Sequence, residues 1–420
     1  MSAKSTKIAG ATTALVLLTA LNFVNYTDRY ILPGVQTLVQ REFHLSDERV
    51  GLLTLCFFIT YMIAAPLTGW MGDRWPRKPL IVTGALLWSA CNILTGTVHS
   101  YIALNVRHAA LGIGEASFGI FAPALLADFF GEKERNRILT IFYIAIPVGA
   151  AIGYGMGGEL GARYGWRVPF IVSAIPGIVI ALLIVVFMRE PVRGASEHRH
   201  RKTPTRTTVL GLVRNPAYVT ATLGMAMIVF SMGGISWWMP AFLNRMGGYS
   251  LGQAGLIMGA VAAVGGLAGT AMGGWLAQLW LRKNDRALYL ISAWSALLAV
   301  PFGLVAFMGP RSLMLPGVAL AVFCIMLNNG PLNAAIVNSV GPEVRASAIA
   351  IELFMIHALG DAPSPWLIGK VSDATNLRVG LAITLITMLL AAALLWAGAK
   401  YAPPLSETDD DAPGLPMVEA

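Results

Sequence analysis

The sequence predicts an all-α membrane protein: twelve transmembrane helices in two parallel six-helix halves. Three observations predict it. Of 420 residues, 56% are hydrophobic and only 12% charged, whereas soluble chains carry about a quarter charged residues. The apolar residues come in long runs, such as 80–98 and 381–399, each near the roughly 20 residues that cross a bilayer core as a helix. A loop pattern also recurs at half the chain length. Gly69-Trp70-Met71-Gly72-Asp73-Arg74-Trp75-Pro76-Arg77-Lys78 matches Gly274 to Lys283 at five of ten positions with an offset of 205, and Gly131 to Arg135 is echoed by Gly341 to Arg345 at an offset of 210. Duplicated halves of this kind build transporters around a central site.

The elements follow in order. The first span, 10–38, follows Lys4 and Lys7 and runs on through Asn25, Asp28 and Arg29 without a small-residue cleavage site, so it reads as a retained helix rather than a signal peptide. Spans at 47–70, 80–98, 102–129, 137–160 and 168–188 complete a first half, residues 1–188. A cytoplasmic linker over 189–216 carries Arg193, Arg199, Arg201, Lys202 and Arg206. Spans at 217–243, 251–280, 287–308, 312–339, 346–370 and 377–399 form the second half, 217–400, and an acidic tail covers 401–420. The runs do not alternate as barrel strands do, and in lipid a helix satisfies its own backbone. With the N-terminus inside, twenty basic residues face the inner side and eight the outer, while Arg29 and Arg107 lie within spans. That bias places both termini in the cytoplasm.

In this setting the net charge of +8 describes loops on a membrane protein and implies no nucleic-acid partner. Cys56, Cys91 and Cys324 lie inside apolar segments with no disulfide or metal spacing. No phosphate-binding loop is present, and no cofactor or metal is expected. A membrane-embedded enzyme would need a nucleophile, base or metal cluster at one face; the six histidines are scattered.

Ionisable residues inside spans are costly and mark function. They are Asp28 and Arg29 in span one, Arg107, His108 and Glu115 in span four, and Glu352, His357 and Asp361 in span eleven. Asp28 and Arg29 are adjacent and point about 100° apart. Asn22, Asn25 and Arg29 share a stripe that should face the bundle interior, as one wall of a wet cavity or as part of an ion pair between spans one and four. Glu115 sits in Gly112-Ile113-Gly114-Glu115-Ala116, where glycines permit close helix contact. His357 and Asp361 are i, i+4 neighbours able to hydrogen-bond. Trp237 and Trp238 read either as an interfacial pair or as cavity lining, and Phe57, Phe58, Tyr61, Phe118, Phe121 and Tyr143 stand at comparable depth. Pro147 with Gly149, Gly153, Gly155, Gly157 and Gly158 suits a flexing, closely packed span five.

These motifs resemble the major facilitator superfamily along essentially the whole chain. Gly69 to Lys78 is similar to its loop 2–3 signature. The resemblance implies that Asp73 faces the start of span eleven and that Asp73, Arg74, Arg77, Arg135 and Arg345 gate the cytoplasmic side. Within the superfamily, Asn25-Tyr26-Thr27-Asp28-Arg29, Gly112 to Ser117, Ala122 to Asp128, Phe142 to Gly149 and His357 to Pro365 resemble the spinster-like lipid transporters. The first two segments also resemble the anion:cation symporters, which take up sugar acids with protons. The family pattern has an arginine seven residues before the span-four glutamate; here that position is His108, with Arg107 one step earlier.

The resemblance implies a proton-coupled secondary transporter for an amphiphilic, lysophospholipid- or sphingolipid-like substrate, rocking between two open states. Asp28 and Glu115, with His108 or Arg107, would handle protons. Arg29, Asn25, Tyr61, Phe118, Tyr143, Trp237, Trp238, His357 and Asp361 would line the substrate site. The alternative is proton-coupled uptake of a sugar acid or other small organic anion. A monomer in the plasma membrane, the inner membrane if the source is bacterial, is the family expectation.

Overall fold

The computed structural model describes residues 10–130, 132–191, 211–341 and 344–404. The linker and tail therefore lie largely outside the described residues. Twelve helical rods run through the described chain. The first half holds α1 (Ala11–Phe43), α2 (Asp47–Arg74), α3 (Arg77–Thr95), α4 (Tyr101–Phe129), α5 (Glu132–Tyr164) and α6 (Val168–Phe187). The second begins with α7 (Pro216–Arg245) and α8, which joins Leu251–Ala260 and Gly266–Leu281 through a wide turn at Val261–Gly265. Then come α9 (Ala287–Met308), α10 (Arg311–Met326 and Asn329–Asn338), α11 (Arg345–Ile356 and Pro363–Ala374, joined by a wide turn at His357–Asp361) and α12 (Leu377–Gly398).

Ten of these rods are long and apolar enough to cross a membrane. The two that fall short are α1 and α11, the rods that carry Asp28–Arg29 and His357–Asp361. Their polarity comes from the ionisable residues within them, which are costly in hydrocarbon. Polar caps set several starts: Ser46 accepts from the Arg49 N–H, Ser100 from Ala103, and Asn376 from Val379. The breaks have local causes. Pro331 lacks an N–H and crowds the carbonyl one turn back, where α10 is interrupted at Leu327–Asn328. Pro363 does the same in α11, and the Ala362 N–H reaches five residues back to the His357 carbonyl at 3.2 Å.

The halves are built alike. In the first, α1 packs on α5 and α6, α2 on α4, and α3 on α6; in the second, α7 packs on α11 and α12, α8 on α10, and α9 on α12. They meet chiefly through α2 against α11 and α5 against α8. The α5–α8 contact is backbone on backbone: a Cβ on Gly158 would lie 2.6 Å from the Leu251 carbonyl oxygen, and one on Gly259 would lie 2.7 Å from that of Ala151. Only glycine lets the helices approach so closely.

The hydrogen bonds and ion pairs that join the halves cluster toward one end. Arg245, the last residue of α7, meets the Asp47 carboxylate at 2.8 Å, with side chains 27% and 10% exposed. Asp47 also accepts from Gln40 at 2.7 Å and from Ser372 at 2.6 Å. Asp373, near the end of α11, takes the N–H groups of Asp47 and Glu48 at 2.9 Å each, a carboxylate on the positive end of α2. Trp366 donates to Glu48 at 3.0 Å. We call this the locked end.

Candidate functional site

Between the halves lies a cavity of about 160 Å³, partly open to solvent. Each helix offers it one stripe: Arg29, Tyr30 and Pro33 from α1; Thr54, Phe57 and Phe58 from α2; His108, Leu111 and Glu115 from α4; Val229, Met232, Gly233, Ser236 and Trp237 from α7; and Asp361 from α11. These are helical spacings of one, three, four and seven residues. The exposed surface of the lining is mostly apolar and aromatic, with Arg29, Thr54, His108, Glu115, Ser236 and Asp361 as its polar groups, a form that suits a small molecule with an apolar body and a polar head.

The polar centre is an ion pair between α1 and α4. Arg29 donates from Nη2 and Nε to Glu115 Oε2 at 2.5 and 3.0 Å. Glu115 is fully buried, while 22% of the Arg29 side chain is exposed to the cavity. The guanidinium stands 5.1 Å from the Tyr26 ring centre and 5.2 Å from that of Phe57, so aromatic faces hold it on two further sides. Glu115 Oε1 and Asn25 Nδ2 lack hydrogen-bond partners. Asn25 thus stands beside the pair without closing on it.

Asp28 turns away from Arg29, as adjacent helix positions must. It is buried toward Trp88 and Asn92 of α3 and Ser173 of α6, whose polar side chains face its carboxylate. Asn22 of the same helix donates to the Phe142 carbonyl at 2.9 Å. Asp28 therefore occupies a closed polar pocket inside the first half, separated from the cavity by its own helix.

His108 lines the cavity with its ring 5.5 Å from Phe57. Arg107 points elsewhere, donating to the Leu94 carbonyl and to Thr97 Oγ1. Of the two candidates for the family's arginine position, His108 is the one in the cavity. His357 stacks on Phe58 at 5.1 Å, stands edge-on to Tyr61 at 5.4 Å, and shares a hydrogen bond of 2.9 Å with Asp361. Its wide turn in α11 thus brings the second half against α2 at mid-depth.

The remaining sequence candidates separate. Trp237 lines the cavity, and its carbonyl accepts from Gln36 of α1 at 3.0 Å. Trp238 is fully buried and ties α7 to α11 through the Pro365 carbonyl at 2.9 Å. Phe118 packs edge-on against Trp88 at 5.6 Å, inside the first half. Tyr143 is half exposed beside Phe142. At the end opposite the lock, Arg77 pairs with Asp128 at 2.5 Å, Arg74 covers Trp70 at 4.4 Å, and Arg345 is exposed at the start of α11. The side chains of Asp73 and Arg135 lie outside the described residues. Sequence reasoning missed the lock residues Gln40, Asp47, Arg245, Ser372 and Asp373. A signal was present, since Asp47 and Arg245 are charges at span ends, but their partners are up to 326 residues away.

Comparison with known proteins agrees with this architecture. The Major Facilitator Superfamily profile matches residues 18–360. Protein spinster of Drosophila melanogaster is 32% identical over 375 residues, 86% of this chain and 62% of that protein, so the chain spans under two thirds of the fly protein's length. The sphingosine-1-phosphate transporter SPNS2 of Danio rerio is 32% identical over 377 residues, 84% of this chain and 74% of its own. A crystal structure of a bacterial homolog of the human lysosomal transporter spinster, inward-facing and unoccupied, superposes with a TM-score of 0.85 at 22% identity, covering 94% of this chain and 98% of that one. The chain is an integral membrane transporter, not an enzyme, and it belongs to the Major Facilitator Superfamily, within it to the spinster-like group.

Proposed function

We propose that the protein is a proton-coupled exporter or importer of an amphiphile with an anionic headgroup and a single apolar tail, of the lysophospholipid or sphingolipid-phosphate kind. The observation that carries this is the Arg29–Glu115 pair, the charge centre of a largely apolar cavity. A tail finds Phe57, Phe58, Leu111, Val229, Met232 and Trp237; an anionic head finds Arg29 and His108. The relatives named for lipid transport support the same substrate class.

The chemistry follows from competition. With Glu115 ionised, its carboxylate holds Arg29. A proton on Glu115 neutralises that carboxylate and frees the guanidinium for a substrate phosphate or carboxylate. When substrate leaves, Arg29 recaptures Glu115 and favours release of the proton. Asp28, in its own pocket on the same helix, is a second proton acceptor that reports to the cavity through α1. Substrate and proton therefore alternate at one cation. With both termini cytoplasmic, the locked end is the outer one, and the state described here is inward-facing. The rocker step breaks the Asp47–Arg245 lock and closes the opposite end.

Proteoliposomes with an imposed pH gradient test the proposal, comparing a labelled lysophospholipid with a hexuronate. Gradient-driven lysolipid movement, lost in Asp28→Asn and Glu115→Gln, is the expected result. Hexuronate movement alone would move the chain to organic-anion symport. Equal lysolipid movement with and without the gradient would remove proton coupling while leaving the substrate class standing.

A further inference from the structure

The duplicated loop has different fates in the two halves. In the first, its basic residues are used up inside the protein. Arg77 pairs with Asp128 at 2.5 Å, Lys78 Nζ donates to the Val185 carbonyl at 2.8 Å, and the N–H groups of both residues go to Glu190. In the second half the equivalents are Arg282 and Lys283. Their acidic partners have been exchanged: at the offset of 210 that relates the later loops, Asp128 corresponds to Asn338 and Glu190 to Lys400. Among the described residues, neither the Arg282 nor the Lys283 side chain makes a hydrogen bond or ion pair, and both are exposed.

Those two side chains stand at the mouth of a groove of about 590 Å³ between α8 and α9, floored by α10. Its walls are Leu276, Leu279, Trp280, Trp294, Leu298 and Leu327. Leu279, Trp294 and Leu298 are 42%, 45% and 45% exposed on the membrane-facing side. Tryptophan at this depth suits the boundary between hydrocarbon and headgroup. Basic side chains just beyond it attract anionic lipid. The groove is separate from the central cavity and shares no residue with it.

We propose that this face is a binding site for an anionic diacyl phospholipid of the surrounding leaflet. Arg282 and Lys283 hold the phosphate, and one acyl chain lies in the α8–α9 groove. The second-half loop has thereby exchanged an internal salt bridge for a lipid-mediated one. The site does not depend on which substrate the cavity carries.

Native mass spectrometry of the full chain, titrated with phosphatidylglycerol or phosphatidylcholine, tests this. Wild type should retain at least one more phosphatidylglycerol than phosphatidylcholine. The double variant Arg282→Gln/Lys283→Gln should weaken that retention about tenfold or more, from the loss of two headgroup charges. Leu298→Trp, which fills the groove and leaves the charges in place, should weaken it as well. Arg214→Gln, an exposed basic residue elsewhere, should not. Thermal melting of each variant verifies that it is folded. Undiminished phosphatidylglycerol retention in the folded double variant would overturn the proposal, as would equal retention of phosphatidylcholine by wild type. Displacement by excess glycerol phosphate would overturn the acyl-chain assignment, leaving only an anion site.

Discussion

Replacing Asp47 with alanine should unlatch the locked end. The carboxylate holds Arg245 of the second half at 2.8 Å, Gln40 at 2.7 Å and Ser372 at 2.6 Å. The Arg245 side chain is 27% exposed, so water screens part of the ion pair, which we count at about 1 kcal/mol. The Ser372 hydrogen bond, which also crosses between the halves, adds about 1 kcal/mol; Gln40 belongs to the same half as Asp47 and does not count. Roughly 2 kcal/mol of preference for the locked state is then lost, about a thirtyfold change in the ratio of locked to unlocked molecules. Spin labels at exposed Arg49 and Thr375, in a background with Cys56, Cys91 and Cys324 replaced by alanine, report the distance across the lock by pulsed electron resonance. Asp47→Ala should shift the distribution to longer distances, and Arg245→Ala should act in the same direction. The double variant should fall short of the sum of the singles, because both remove one shared contact. An unchanged distribution in a folded Asp47→Ala protein would refute the view that this cluster holds the halves together.

Other consequences are equally open to measurement. Glu115→Gln should abolish gradient-driven transport while leaving substrate binding measurable by fluorescence or scintillation proximity, because Arg29 stays free. His108→Arg places a fixed charge where a titratable ring now lines the cavity, and it should flatten the pH dependence of uptake; an unaltered profile would dismiss His108 from coupling. Gly158→Val forces a side chain into the Leu251 carbonyl and should cost about 1–3 kcal/mol, seen as a lowered melting temperature. Glu42, beyond the first span, has its carboxyl held below the usual range by hydrogen bonds from Arg167, and Trp166 also donates to it. A depressed folded value stabilises the protein above the unfolded pKa and is lost as pH falls through the folded one. Glu42→Gln should therefore melt slightly below wild type at pH 7 and match it in strong acid.

Apolar run length accounts for ten of the twelve rods, because hydrocarbon thickness leaves few alternatives to a helix of that size, while α1 and α11 are interrupted by polar residues. Periodicity also anticipated the divergence of Asp28 and Arg29, since it depends on a single helix. The wide turns at 261–265 and 357–361 were not legible, because a helix one residue wider per turn has the same composition as its neighbours. Nor was the division of roles between Trp237 and Trp238, which depends on which face of α7 meets α11. Aromatic residues at equal depth divided for the same reason: Phe57 reached the cavity and Phe118 the interior of its half. The lock was hidden most completely. Gln40, Asp47, Arg245 and Ser372 are ordinary polar residues at span ends until the halves are brought together.

The glycine contact between α5 and α8 has a kinetic consequence. A joint between helices usually interlocks side chains, so that moving it means lifting each out of a well and finding a new rotamer. Where Gly158, Gly255 and Gly259 meet bare backbone, there are no rotamers to exchange and no side-chain entropy to lose or regain. Such a surface behaves as a smooth bearing. In the rocking cycle proposed above, the two halves would tilt about it with little friction from the joint itself, and the rate of tilting would be left to the polar lock at one end and the charge pair at the centre.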